Sequence, residues 1–211
     1  MRWFALLLLV SRSCGLSLNQ RGPALALKGE STVALKEQLR REAAPTKNGV
    51  EAGARTLATV EAIVAELESR GDLDRFPPLD GSHELVFTTT TGASSGKLGP
   101  FVGDVTQTFI DERRFENAVA IGPLRVALTA RREPLDQRTY RVTFEEMGFS
   151  LFGVDLMKRP ISGGGTWKLR YVDEDIRIMD TPSLFVLARK PSSITLVDVL
   201  SDPARFMDDD D

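Results

Sequence analysis

The sequence predicts a mainly β protein, an antiparallel β-barrel preceded by two α-helices. Three observations point there. From residue 81 to residue 190, apolar residues recur at period two in short runs punctuated by Gly, Pro, Asn and Asp. Between residues 31 and 69 the apolar spacing is helical instead. The runs of the β region follow one another with local connections, and closing such a sheet removes its exposed edges.

The chain opens as an address. Arg2 precedes the apolar run Trp3 to Val10, and the small residues Ser13 and Gly15 follow at signal-peptidase spacing. That run is far short of the ~20 residues a spanning helix needs, so membrane association of the mature protein is expected to be peripheral. Residues 1–29 hold Arg2, Arg12, Arg21 and Lys28 and no acidic residue. A basic, acid-free stretch after a signal reads as the bipartite address of a complex algal plastid, with plain secretion as the alternative.

Two helices come next, in an N-terminal region spanning residues 30–71. Ser31 to Ala44 carries Ser31 and Thr32 as caps and Val33, Leu35 and Leu39 among charges, and Pro45 ends it. Ala54 to Ser69 places Leu57, Val60, Ile63, Val64 and Leu67 on one stripe and closes at Gly71. That stripe reads as the face that caps the barrel, with binding to a membrane as the alternative. Asp72 to Asp80 is a linker. Nine strands are expected over residues 81–190: His83–Thr91, Phe101–Ile110, Arg114–Ala120, Leu124–Ala130, Thr139–Glu146, Phe149–Leu156, Thr166–Val172, Asp175–Met179 and Leu184–Arg189. Gly92–Gly99 and Ser162–Gly165 read as mobile loops. Residues 191–211 form a C-terminal extension ending in the acidic tail Asp208 to Asp211.

Composition excludes several functions. The chain carries −3, and removing the four basic residues of its first 29 leaves about −7. An acidic chain with no clustered basic face has no electrostatic reason to bind nucleic acid. Cys14 is the only Cys and His83 the only His, so a mature disulfide, a thiol nucleophile and a zinc site of several His and Cys ligands are ruled out. A carboxylate-only Mg²⁺ or Ca²⁺ site stays formally open. No metal or cofactor is expected. No serine sits in a nucleophile elbow.

Alternation sets the candidate lumen residues. Leu85 and Phe87 fall on one face of the first strand, Gln107 with Val105 and Phe109 on the second, and Asn117 with Phe115 and Val119 on the third. Val126, Phe144, Trp167 and Tyr171 complete the set, with Trp167, Leu169 and Tyr171 on one face. Two amides in an apolar lumen each need partners, or lose roughly 1–3 kcal/mol to desolvation. They form either a cross-strand hydrogen-bond network or a recognition site for a polar ligand head. Asp173-Glu174-Asp175 is read as a solvated turn, and Arg177, between two Ile, as half of a structural ion pair with Asp173, Asp175 or Asp180.

The block Trp167-Lys-Leu-Arg-Tyr-Val-Asp-Glu-Asp-Ile-Arg-Ile178, followed by Phe185-Val-Leu187, resembles the closing signature of the plastid-lipid-associated proteins, the fibrillin family. There a Trp-started strand leads to a Tyr-Leu-Asp-Glu-Asp-Leu-Arg-Ile run and a Phe-Val-Leu strand. Gly81-Ser-His-Glu-Leu-Val-Phe-Thr-Thr89 resembles the family's opening strand, Gly-x-Trp-x-Leu-x-Tyr-Thr-Thr, with His83 in place of the Trp and Phe87 in place of the Tyr. Gly99 to Gln107, Phe115-Glu-Asn117 and Leu67-Glu68 match further family positions in order. The resemblance implies a lipocalin-like barrel and non-catalytic binding of a lipophilic plastid metabolite (carotenoid, quinone, tocopherol or fatty acid). It also implies peripheral contact with plastoglobules or thylakoids. The alternatives are an enzyme on the same barrel, for which Asp155 is the one acidic candidate on a strand face, and a coat protein with a filled barrel. Oligomeric state is left open.

Overall fold

The computed structural model describes residues 27–71 and 78–191. Residues 1–26 of the targeting segment, residues 72–77 of the linker and residues 192–211 with the acidic tail lie outside the described residues. Leu27, placed by the sequence reading in the targeting segment, is buried among the helices, and Arg70 donates to its carbonyl and to that of Glu30.

Two helices lead, as expected. Helix α1 (Thr32–Ala43) is N-capped by Ser31, whose Oγ accepts from the Ala34 N–H at 3.1 Å. Helix α2 (Ala54–Arg70) buries Val60, Ile63, Val64 and Leu67 and stops at Gly71. The turn between them needs three left-handed residues, Lys47, Asn48 and Gly49. At Gly49 (φ +93°) any Cβ would strike the Thr88 carbonyl, so glycine is required twice over.

Eleven strands follow: β1 (Ser82–Thr88), β2 (Lys97–Leu98), β3 (Phe101–Val102), β4 (Asp104–Phe109), β5 (Arg114–Ile121), β6 (Leu124–Pro134), β7 (Thr139–Leu151), β8 (Val154–Pro160), β9 (Gly164–Val172), β10 (Ile176–Asp180) and β11 (Leu184–Arg189). The short pair β2–β3 stands alone. The other nine form one antiparallel sheet, ordered β6-β5-β4-β1-β11-β10-β9-β7-β8, which β6–β7 pairing closes into a ring. β6 runs along the whole of β7 on one edge, while β9 and β8 share the other edge in succession. The closed ring is therefore β6, β5, β4, β1, β11, β10, β9 and β7, eight strands around, with β8 paired on β7 alone.

The sheet has two differently covered faces. One cluster takes residues from every wall strand, including Leu85, Phe109, Phe115, Ala130, Val142, Trp167, Met179 and Leu187, so it lines the inside of the ring. The other joins both helices to Phe87, Tyr171, Ile176, Ile178, Leu184 and Val186, on β1, β9, β10 and β11. The helices thus pack flat on the outer wall.

The expected strand Phe101–Ile110 is split into β3 and β4 at Gly103, β6 runs on to Pro134, and other expected strands and loops differ as well. The expected break before Phe149 is absent: β7 continues through Met147-Gly148, and the chain turns at Phe152-Gly153 instead. Gly148 has space around its Cβ position and adopts strand geometry, so it interrupts nothing. Gly92–Gly99, expected to be mobile, is built around a 3-10 turn (Ala93–Ser95) and strand β2. The Asn48 side chain holds it, donating to the Ser95 and Gly103 carbonyls at 3.0 Å each. In the second loop, the Gly163 carbonyl accepts from the Phe144 N–H at 2.9 Å, and Gly164 and Gly165 belong to β9.

Candidate functional site

Paired residues of neighbouring strands share a face, so the registers trace rows across the inner wall. One row runs His83, Gln107, Asn117, Leu128, Met147. The next, toward the end of the ring where β5 turns into β6, runs Val105, Val119, Val126, Phe149, Met157. On the opposite side of the His83 row lie Phe109, Phe115, Ala130 and Phe144.

Burial grades along these rows. Phe109, Phe115, Trp167 and Leu169 are buried, with the Phe115 and Trp167 rings 4.4 Å apart. Val105, Val119, Val126, Leu128, Met147 and Phe149 are half-buried although they point inward. Beyond them the β7–β8 hairpin projects with Leu151, Phe152, Val154, Leu156 and Met157 exposed, Phe152 at 80%. One end of the ring is therefore sealed and the other presents apolar side chains to the outside. The sealed end is covered by Leu79, which packs on the inner cluster.

The polar groups gather toward the sealed end. Gln107 is 2% exposed; its Nε2 donates to Asn117 Oδ1 at 2.7 Å and its Oε1 accepts from Arg177 Nη2. This is a cross-strand network of the kind expected for the two amides, with Arg177 added to it. Arg177 itself is fully buried and has no carboxylate partner among the described residues. The expected ion pair is thus overturned. Period two aims Arg177 inward with Met179, whereas Asp173 and Asp175 sit in the β9–β10 turn and are engaged by Lys36 of α1. Asp180 lies 3.7 Å from Arg170 instead. The Arg177 guanidinium stands 4.7 Å from the Phe109 ring centre, and that of Arg132 stands 4.3 Å from it. Burial, together with the positive charge of Arg132 and Arg189, pushes Arg177 down to about 9. Burial also lowers Arg132, whose Nε and Nη2 donate to the Glu112 and Leu79 carbonyls.

His83 is buried edge-on to Phe109 with ring centres 5.9 Å apart. Burial and the neighbouring Arg177 and Arg189 push it down to about 4, so the ring is neutral at pH 7.

Two expected lumen residues lie elsewhere. β1 carries an extra residue between Leu85 and Phe87, and β9 one between Leu169 and Tyr171, as the register shifts show. Each bulge reverses the alternation, so Leu85 and Leu169 face inward while Phe87 and Tyr171 join the helix-side cluster. Tyr171 donates to Asp173 Oδ2 at 2.7 Å. Leu85, Phe109, Phe144 and Trp167 belong to the inner cluster, and Gln107, Asn117 and Val126 lie on its rows. Asp155 is exposed on β8 and pairs with Lys158 at 2.8 Å, away from any buried site. The sequence reading missed Arg132 entirely. Its one signal was its place two residues from Ala130 on the inward face of β6.

Among the described residues no group of three or more His, Cys, Asp or Glu side chains is placed to hold a metal, and no helix is long and apolar enough to cross a membrane. In comparisons with known proteins, the chain matches no family model, no curated protein and no solved structure.

Proposed function

We propose that this protein is a non-catalytic binder of lipophilic molecules, a plastid-lipid-associated protein whose ring is a lipocalin-like barrel with the ligand inside. The observation that carries this reading is the row Val105–Val119–Val126–Phe149, inward-pointing yet half-exposed at one end of the ring. An apolar tail lying along that row would cover surface now in contact with water, contributing about 0.8 kcal/mol per methylene buried. A carotenoid, quinone, tocopherol or fatty acid offers such a tail, and plastid plastoglobules or thylakoids would supply it.

The projecting β7–β8 hairpin fits peripheral docking on a lipid surface. Leu151, Phe152, Val154 and Leu156 are exposed together at its tip, and Lys158 and Arg159 follow on the same strand. Apolar tips flanked by basic residues favour the headgroup boundary. Docked in this way, the hairpin would bring the half-open end of the ring to the membrane from which the ligand leaves.

Trp167 tests the reading. In the full chain carrying Trp3→Phe it is the one remaining tryptophan, and it is buried in the inner cluster. Titration with a plastoquinone analogue is expected to change its emission saturably. Unchanged emission with intact folding would contradict the reading and favour a coat protein with a filled interior.

A further inference from the structure

The inner wall holds two guanidinium groups that no carboxylate among the described residues pairs with. Arg177 is fully buried and uses one N–H, to Gln107, while its Nε and Nη1 have no hydrogen-bond partner among the described residues. Arg132 is likewise buried and its Nη1 has no hydrogen-bond partner among the described residues. Both guanidinium carbons lie within 5 Å of the Phe109 ring centre, so they stand at most about 9 Å apart.

Packing does not account for this arrangement. What a cation gains over an aromatic face is smaller than what a guanidinium loses on leaving water, and each unmade buried hydrogen bond adds to that loss. Arg177 keeps its proton at pH 7, so it does not escape the cost by neutralising there as a buried Lys can. Buried charges are ordinarily paired; the carboxylates of Asp111, Asp80 and Glu112 act on Arg132 from a distance without bonding to it, and of these Asp111 pairs with Arg114 and Asp80 with Arg189.

We propose that Arg177 and Arg132 form the seat for the anionic head of an amphiphile, a carboxylate above all, whose tail lies along the half-buried apolar row. A carboxylate can accept two N–H bonds from one guanidinium; Nε and Nη1 of Arg177 are both unpartnered, and either forks with the second N–H of Nη2 that the bond to Gln107 leaves over. Gln107 fixes the guanidinium through its third nitrogen, and Asn117 in turn fixes Gln107. From that seat the rows lead past Leu128 and Val126 to the open end. The tail part of this assignment rests on the lipid-binding reading above; the anion part rests on the unpartnered guanidinium groups.

The test titrates the full chain carrying Trp3→Phe with oleate, oleyl alcohol and acetate, reading Trp167 emission and heat of binding. Oleate is expected to bind at least about tenfold more tightly than oleyl alcohol, and acetate far more weakly than either. In Arg177→Met the oleate-to-alcohol ratio is expected to fall toward one. Arg132→Gln, at the edge of the seat, gives the same readout if the first variant does not fold. Equal binding of oleate and alcohol to the wild type would overturn the anionic seat and leave the lipid-binding reading standing. Acetate binding as tightly as oleate would overturn the amphiphile, reducing the seat to a small-anion site. Binding of none of the three would overturn both.

Discussion

Lys36, Tyr171 and Asp173 show how one turn is fastened to a helix. Asp173 Oδ1 accepts from the Asp175 and Ile176 N–H groups, and Oδ2 accepts from Tyr171 and from Lys36 at 3.0 Å. Burial alone would raise the Asp173 carboxyl, but these four donors outweigh it and hold it below the usual carboxylate range. Its stabilising effect is therefore complete above the ordinary carboxylate pKa and is lost as pH falls through the lowered folded value. Asp173→Asn is expected to cost about 1–3 kcal/mol at pH 7, read by urea unfolding, and to flatten the acid side of the stability curve. His83 acts in a neighbouring window. Its folded value near 4 lies below the ordinary 6.5, so the unfolded chain takes up the proton first and stability declines as pH drops from 6.5 to 4. His83→Phe is expected to remove roughly 3 kcal/mol of that decline, measured as the difference in unfolding free energy between pH 7 and pH 4.

At the scale of elements, the two bulges decide which side chains reach the interior. Period-two counting read β4 and β5 correctly, since their register from Asp104–Ala120 to Phe109–Phe115 is unbroken. It failed on β1 and β9 beyond the extra residues, and nothing in Leu85-Val-Phe87 or Leu169-Arg-Tyr171 marks a bulge, because both fit an ordinary strand. The helices were legible from Ser31 and the Leu57–Leu67 stripe, but the wall they cover was not, because covering a face and capping an end need the same apolar width. Arg177 was misread for a related reason. Sequence showed acids close by in the chain, whereas strand direction sends Arg177 inward and leaves those acids to Lys36. The helix turn offers a sharp check: Gly49→Ala combines a left-handed φ with a clash on Thr88, and is expected to lower stability by about 1–3 kcal/mol in thermal unfolding. On the projecting hairpin, Phe152→Asp with Leu156→Asp is expected to reduce co-sedimentation with galactolipid vesicles severalfold while leaving the melting temperature nearly unchanged, since both side chains are exposed.

At the scale of the whole molecule, ring closure and helix packing divide the work. Closure through β6–β7 pairs β6 and β7 on both sides and leaves the outer edge of β8 unpaired among the described residues, while the helices bury the outer side of β9, β10, β11 and β1. Ile63→Ala, in the centre of that helix-side cluster, is expected to cost about 2–5 kcal/mol. The inner face is then free to combine a buried aromatic floor, two guanidinium groups and an apolar slope toward the open end. Photo-crosslinking with a diazirine-bearing fatty acid, followed by mass spectrometric mapping of the labelled peptides, tests that arrangement most directly. Labels are expected on the inward row around Val126 and Phe149, competed away by excess oleate. Labels confined to the outer faces of the helices and strands, with the inward row untouched, would contradict it.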